Sequence, residues 1–219
     1  GSAWTTGSLI PGVITVSKTG YRLKGNQKVY ILPIGDLHIG SPEFNEGYFD
    51  YCLDKIDELT SPYRIYLMGD LLETATKQVA NSSFQSTMSA EEQVETAISY
   101  LKPFRRDIFY CCIGNHESRL IKEFNYNILH RVGKALRCPV GYQFIDSFNI
   151  NGDPLRVYVA HGKGSSAHFY TAQSKMLRDT SHVDSDIFIN GHNHRCGYFS
   201  VPNLSREGIL RRHYAFSGA

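Results

Sequence analysis

"VYILPIGDLHIG" at 29–40 decides the fold. A brief apolar run, rich in β-branched and aromatic residues, ends at Gly35, and Asp36 and His38 follow at once. A run this short reads as a buried strand rather than a helix. The pattern recurs along the chain. "RIYLMG" (64–69) precedes Asp70, and "DIFYCCIG" (107–114) precedes Asn115 and His116. "LRVYVAHG" (155–162) carries His161, and "DIFINGH" (186–192) leads to His192 and His194.

Helical patterns lie between these runs. In 47–59, Phe49, Cys52, Leu53, Ile56 and Leu59 share one face. Ser89 and Glu92 form a capping box ahead of Val94, Ala97, Ile98 and Leu101, and Pro103 stops that helix. Ile128, Leu129, Val132, Ala135 and Leu136 mark a third. Strands alternating with helices predict an α/β fold. Residues 74–88 and 163–173 read as long polar loops, places where substrates are often met. "RRHYAFSGA" at the end reads as a further strand.

The chain has 219 residues, which suits one domain over 1–219, with Gly1 and Ser2 reading as a cloning remnant. Hydrophobic residues make up 42% and charged residues 20%, an ordinary balance that argues against disorder. The net charge of +2 does not point to a polyanionic partner, although a local basic patch remains compatible with it. No apolar run is long enough to span a membrane, and no signal-peptide pattern opens the chain. The five cysteines form no CxxC and read as buried, reduced thiols of a cytosolic protein.

Each of the five apolar runs delivers metal-type ligands at its C-terminal end, where open α/β sheets gather functional residues. Leaving His116 aside, the set is Asp36, His38, Asp70, Asn115, His161, His192 and His194. Its mixture of oxygen and imidazole donors suits manganese, iron, zinc or nickel better than calcium. It is too large for one tetrahedral ion and suits two ions sharing a carboxylate. With only two carboxylates in the set, two divalent ions leave the pocket positive, which favours an anion such as phosphate. The other histidines fit this picture less well. His130, His182 and His213 read as surface or structural, and His168 is a weak substrate-contact candidate in the 163–173 loop.

In order, "GDLHIG … GDLLE … GNHE … AHG … GHNH" resembles the calcineurin-like metallophosphoesterase superfamily. The loop and helix text "ETATKQVANSSFQSTMSAEEQVETAISYLKPF" is also similar to compact phosphoesterases of phages and prophages. The resemblance implies a four-layer αββα sandwich of two mixed β-sheets flanked by helices. It implies one ion held by Asp36, His38, Asp70 and His194, and another by Asp70, Asn115, His161 and His192, with Asp70 bridging. A metal-bridging hydroxide would attack phosphorus, and His116 would protonate the leaving oxygen or stabilise the transition state. Asp36 is the implied carboxylate partner of His116, with Glu73 and Glu117 as nearby alternatives.

Protein phosphatases of this superfamily carry arginine in "GDxxDRG" and "RGNHE". This chain reads "GDLLETA" and "IGNHES", which argues against that substrate class. Arg119, Lys77 and Lys163 are weaker candidates for phosphate contacts. The expectation is a cytoplasmic phosphodiesterase, of a bacterium or of a phage-infected cell, using two divalent ions, manganese foremost. Its substrate would be a nucleotide or nucleic acid. A small-molecule phosphomonoesterase or pyrophosphatase is the alternative, and a catalytically silent binding module a third reading.

Overall fold

A computed structural model of the protein describes residues 16–74, 86–163, 168–205 and 208–217. Its strands are β1 (Val16–Tyr21), β2 (Tyr30–Ile34), β3 (Tyr63–Leu67), β4 (Ile108–Cys112) and β5 (Val140–Gly141). They continue as β6 (Gln143–Ile150), β7 (Asp153–Ala160), β8 (Ile187–Asn190), β9 (Gly197–Ser205) and β10 (Gly208–Phe216). The helices are α1 (Glu46–Asp57), α2 (Ala90–Leu101), α3 (Asn115–Phe124), α4 (Leu129–Leu136) and α5 (Phe169–Thr180).

Two sheets form. The smaller has the order β2-β3-β4-β5, and the larger β1-β6-β7-β8-β10-β9. The expected sandwich is present, and mixed pairing is confined to the larger sheet. Every pairing in the smaller one is parallel, whereas β6–β7 and β9–β10 in the larger are antiparallel.

The two-residue period of a strand sorts side chains into layers. On β3, Ile65 and Leu67 pack with α1, α2 and α4, while Tyr66, and Met68 just past the strand, face the other sheet. On β7, Val157 and Val159 meet Tyr66, Met68 and Tyr110, whereas Tyr158 and Ala160 pack on Ala172 and Met176 of α5. Helices, small sheet, large sheet and α5 therefore stack in four layers around three apolar clusters.

The helices follow from local chemistry. Asn45 caps α1 by accepting from Tyr48 N, and Ser89 and Glu92 cap α2 reciprocally. Two helices go beyond the sequence reading. One is α3, which begins at Asn115 itself. The other is α5, which begins inside the segment expected as a polar loop.

Parallel pairing of β2 with β3, of β3 with β4 and of β7 with β8 goes with five strand C-termini at one end of the sandwich. The chain segments that leave them are the candidate site.

Candidate metal centre

The first two exits are zipped together. Asp36 N donates to Gly69 O at 2.9 Å, His38 N to Asp70 O at 3.0 Å, and Ile39 N to Leu71 O at 2.9 Å. Beyond the third strand, Gly114 passes so close to Asp70 that a Cβ there would lie 2.1 Å from Asp70 Oδ1. Only glycine permits this approach. Glu117, in the first turn of α3, ties the same two exits together. Its fully buried carboxylate accepts from Asp70 N at 3.1 Å, Leu72 N at 3.1 Å and Gly114 N at 2.9 Å. Burial and the nearby Asp70 charge push the Glu117 carboxyl up, against the pull of those amides.

Backbone conformation aims the side chains. Asp36, His38, Asp70, His192 and His194 all have left-handed φ, between 47° and 72°. Non-glycine residues rarely adopt this region, and such residues cluster at functional sites.

Seven expected ligand positions fall into two neighbouring groups. Asp36, His38 and His194 place one donor atom each within 4.8 Å of one another, and so do Asp70, His161 and His192. Asn115 joins the second group, its Oδ1 lying 2.9 Å from His161 Nε2. Asp70 also belongs to a third such group with His38 and His116, so it stands between the two sides.

Second contacts fix the donors. His161 Nδ1 lies 2.8 Å from Met68 O, a group that only accepts, so Nδ1 carries a proton and Nε2 offers its lone pair. That nitrogen faces Asp70 Oδ2 at 3.2 Å and His192 Nδ1 at 3.1 Å as well as Asn115 Oδ1. His38 Nδ1 likewise lies 3.1 Å from the Glu73 carboxylate, turning Nε2 toward His194 Nε2 at 3.4 Å. Backbone amides orient both carboxylates, with His192 N donating to Asp36 at 2.9 Å and His116 N to Asp70 Oδ1 at 2.8 Å.

Lone pairs thus converge on two points with few protons between them. Such an arrangement needs a positive charge, which a proton or a metal cation supplies, and the mixed N/O donor set fits divalent ions. Without an ion, protons serve. Burial disfavours charge on His161, but the hydrogen bond and charge of Asp70 win and raise its pKa. Burial also works against the Asp70 carboxylate, yet His161 holds it down to about 2.

His116 stands differently. Its Nδ1 lies 2.9 Å from Glu73 O and 3.4 Å from Glu73 Oε2, and Arg119 Nη2 donates toward its Nε2 at 3.2 Å. Both ring nitrogens already have partners outside the two ligand groups. The expected pairing with Asp36 is therefore corrected, because Glu73 holds His116, while Asp36 accepts from His192 N. Burial lowers the His116 pKa, but Glu73 outweighs it and the net direction is up. Glu73 spans His38 and His116 together. Burial raises its carboxyl, yet these two histidines hold it down to about 2.

Of the weaker substrate candidates, Arg119 lies against His116. Lys163 is exposed two residues after His161, and His168 is exposed at the start of α5. Lys77 falls outside the described residues. Glu117 is the group the sequence reading left without this role. Its signal was a glutamate three residues after Gly114, the spacing of a helix-capping carboxylate.

Among solved structures, that of vacuolar protein sorting 29 from Cryptosporidium parvum is similar, with 15% identity and a TM-score of 0.45, covering 86% of this chain and 73% of that one. No curated protein matches the chain. The family model described as calcineurin-like phosphoesterase matches residues 29–211, a span that holds all five strand exits. The chain belongs to the calcineurin-like phosphoesterase family.

Proposed function

We propose that the protein is a two-metal phosphodiesterase acting on a nucleotide or nucleic acid. The carrying observation is the pair of donor groups, Asp36–His38–His194 and Asp70–His161–His192, that meet around Asp70. In this reading Asp36, His38, Asp70 and His194 would hold one ion, Asp70, Asn115, His161 and His192 would hold the other, and Asp70 would serve both. Bound there, divalent ions, manganese foremost, would supply Lewis-acid charge and a more acidic water for attack at phosphorus.

The chain's own groups do the rest. His116, charged with a proton under the influence of Glu73, delivers it to the leaving oxygen. Arg119 swings from the His116 ring to a phosphoryl oxygen, where its planar fork suits the anion. One arginine suits the single negative charge of a diester, and the arginines typical of protein phosphatases are missing from "GDLLETA" and "IGNHES". Nuclease activity in a phage-related setting, in the cytoplasm, accords with the similarity of the 73–104 text and with free cysteines among the described residues. No described helix is long and apolar enough to cross a membrane.

Hydrolysis of bis-p-nitrophenyl phosphate with added manganese, compared with the monoester, tests the reading. The diester should turn over faster. A strong preference for the monoester would replace it with the phosphomonoesterase alternative.

A further inference from the structure

A cavity of about 350 Å³ lies beside the candidate metal centre, lined by Thr74, Ser86, Thr87, Met88, Gln93, Leu120, the α2 cap Ser89 and Ala90. Three links place it next to His116 and His38. Thr74 follows Glu73, whose carbonyl contacts His116. Leu120 lies one helical turn beyond His116 on α3. The hydroxyls of Ser86 and Thr87 donate to Gly40 O, two residues past His38, at 3.3 and 3.2 Å.

Its wall is already built. The buried Gln93 amide accepts from Thr74 N at 3.1 Å and donates to Ser86 Oγ at 3.2 Å and Met88 O at 3.1 Å. Thr87 N adds a bond to Gly40 O at 2.8 Å.

Among the described residues, the lining carries hydroxyls, an amide, a thioether and a leucine, and no charged side chain. A helix N-terminus usually attracts anions, but that of α2 is already answered. Glu92 accepts from Ser89 N at 2.7 Å, and Glu91 adds a second negative charge to the same turn. These residues therefore offer a phosphate no cation and suit a neutral group that both hydrogen-bonds and packs. One lining residue carries an unanswered group. The buried Thr74 hydroxyl has no hydrogen-bond partner among the described residues, and Thr74 is held at φ 40°. A buried hydroxyl in that state is costly until something pairs with it.

We infer that this cavity is a nucleoside subsite, receiving the uncharged base and sugar of an ester whose phosphorus lies at the metal centre. The inference rests on the phosphoesterase reading for its biological sense. Its volume falls in the range of small-ligand pockets, and Met88 and Leu120 offer apolar contact to a base while the hydroxyls read its polar edge.

The test is calorimetric titration of the metal-free full chain with adenosine, guanosine, cytidine and uridine, so that neither metal nor ester enters the readout. At least one nucleoside should bind. Ala90→Trp, at an exposed position in the first turn of α2, should weaken it by about tenfold or more, and Thr74→Val by about three- to tenfold. Melting temperatures check that each variant is folded, and Ala90→Trp serves if Thr74→Val is not. The subsite is overturned if no nucleoside binds, if ribose binds as tightly, or if Ala90→Trp binds like the native chain. Nucleoside binding without any ester hydrolysis would sink the hydrolase reading and leave the subsite standing. Hydrolysis without nucleoside binding would do the reverse.

Discussion

Strand β3 carries two buried polar clusters, one near each end, and they are built on opposite principles. Near its start, Arg64 and Asp146 are fully buried between the sheets and face each other at 2.7 and 3.1 Å. Tyr66 donates to Asp146 at 2.7 Å, Arg64 donates to Tyr21 at 2.8 Å, and the guanidinium lies 3.6 Å from the Phe109 ring centre. Burial alone would lower the Arg64 pKa, but Asp146 more than restores it. Roughly 15–20 Å along the chain, Asp70 opens the other cluster. There, imidazole nitrogens and carboxylate oxygens face one another as acceptors. Where donors match acceptors, a buried charge cluster holds the sheets together. Where acceptors exceed donors, it calls for positive charge, from a proton or a cation.

This contrast makes predictions that differ by orders of magnitude. Asp70→Ala removes the residue common to both donor groups, so turnover should fall to background and bound manganese should drop, measured by ester hydrolysis and elemental analysis. Native metal content in that variant would break the assignment of Asp70 as shared ligand. Arg64→Leu should do the opposite. It takes the guanidinium partner from the buried Asp146 carboxylate and should cost about 3–5 kcal/mol in urea unfolding, with metal uptake retained by the folded fraction. Loss of metal without loss of stability would erase the distinction between the clusters.

His116→Ala should slow turnover by about 10²–10⁴-fold, most for esters with poor leaving groups, and keep its metal. Metal loss would move His116 into the ligand shell. Glu73→Gln keeps shape but weakens the hold on two imidazoles, and a fall of about 10–100-fold in turnover is expected. An unchanged pH profile would show that Glu73 only fills space.

The smallest effect is on the melting of metal-free protein. Asp70 and Glu73, held down to about 2, contribute stability above their ordinary values of 3.8 and 4.5 that is lost as pH falls toward 2. His116 and His161, raised above 6.5, contribute stability below that value that is lost as pH rises through their shifted pKa. The contributions coexist between 4.5 and 6.5. Chelator-treated protein should therefore melt highest in that window, by a few degrees, and manganese should move the optimum upward. An optimum that ignored the metal would speak against competition between ion and proton.

Much of this was legible because the exits follow short apolar strands, whose period and termination are local properties. The five runs from "VYILPIG" to "DIFINGH" each correspond to a strand, and three helices lie where their apolar faces put them. Strand β6 was not legible, because "QFIDSFNI" hides a buried Asp146 whose partner sits 82 residues away on another sheet. Nor was α5, where Ala172 and Met176 are buried among polar neighbours and the segment looks like a loop. At the site, residue types announced themselves, but relationships did not. Asp36 and Glu73 are both plausible partners for His116 by sequence, and only folding brings Glu73 Oε2 to 3.4 Å.

The left-handed backbone at Asp36, His38, Asp70, His192 and His194 gives the site a memory of its purpose. If a lineage stopped needing the ions, each ligand could drift, yet the turn beneath it would remain as conformational strain. Glycine, asparagine and aspartate are most at ease in that region, and β-branched residues least. Decay of such a centre is therefore directional. Its lost ligands should be replaced first by glycine or asparagine, and a valine or isoleucine at one of these five positions would mark a loop that has already refolded.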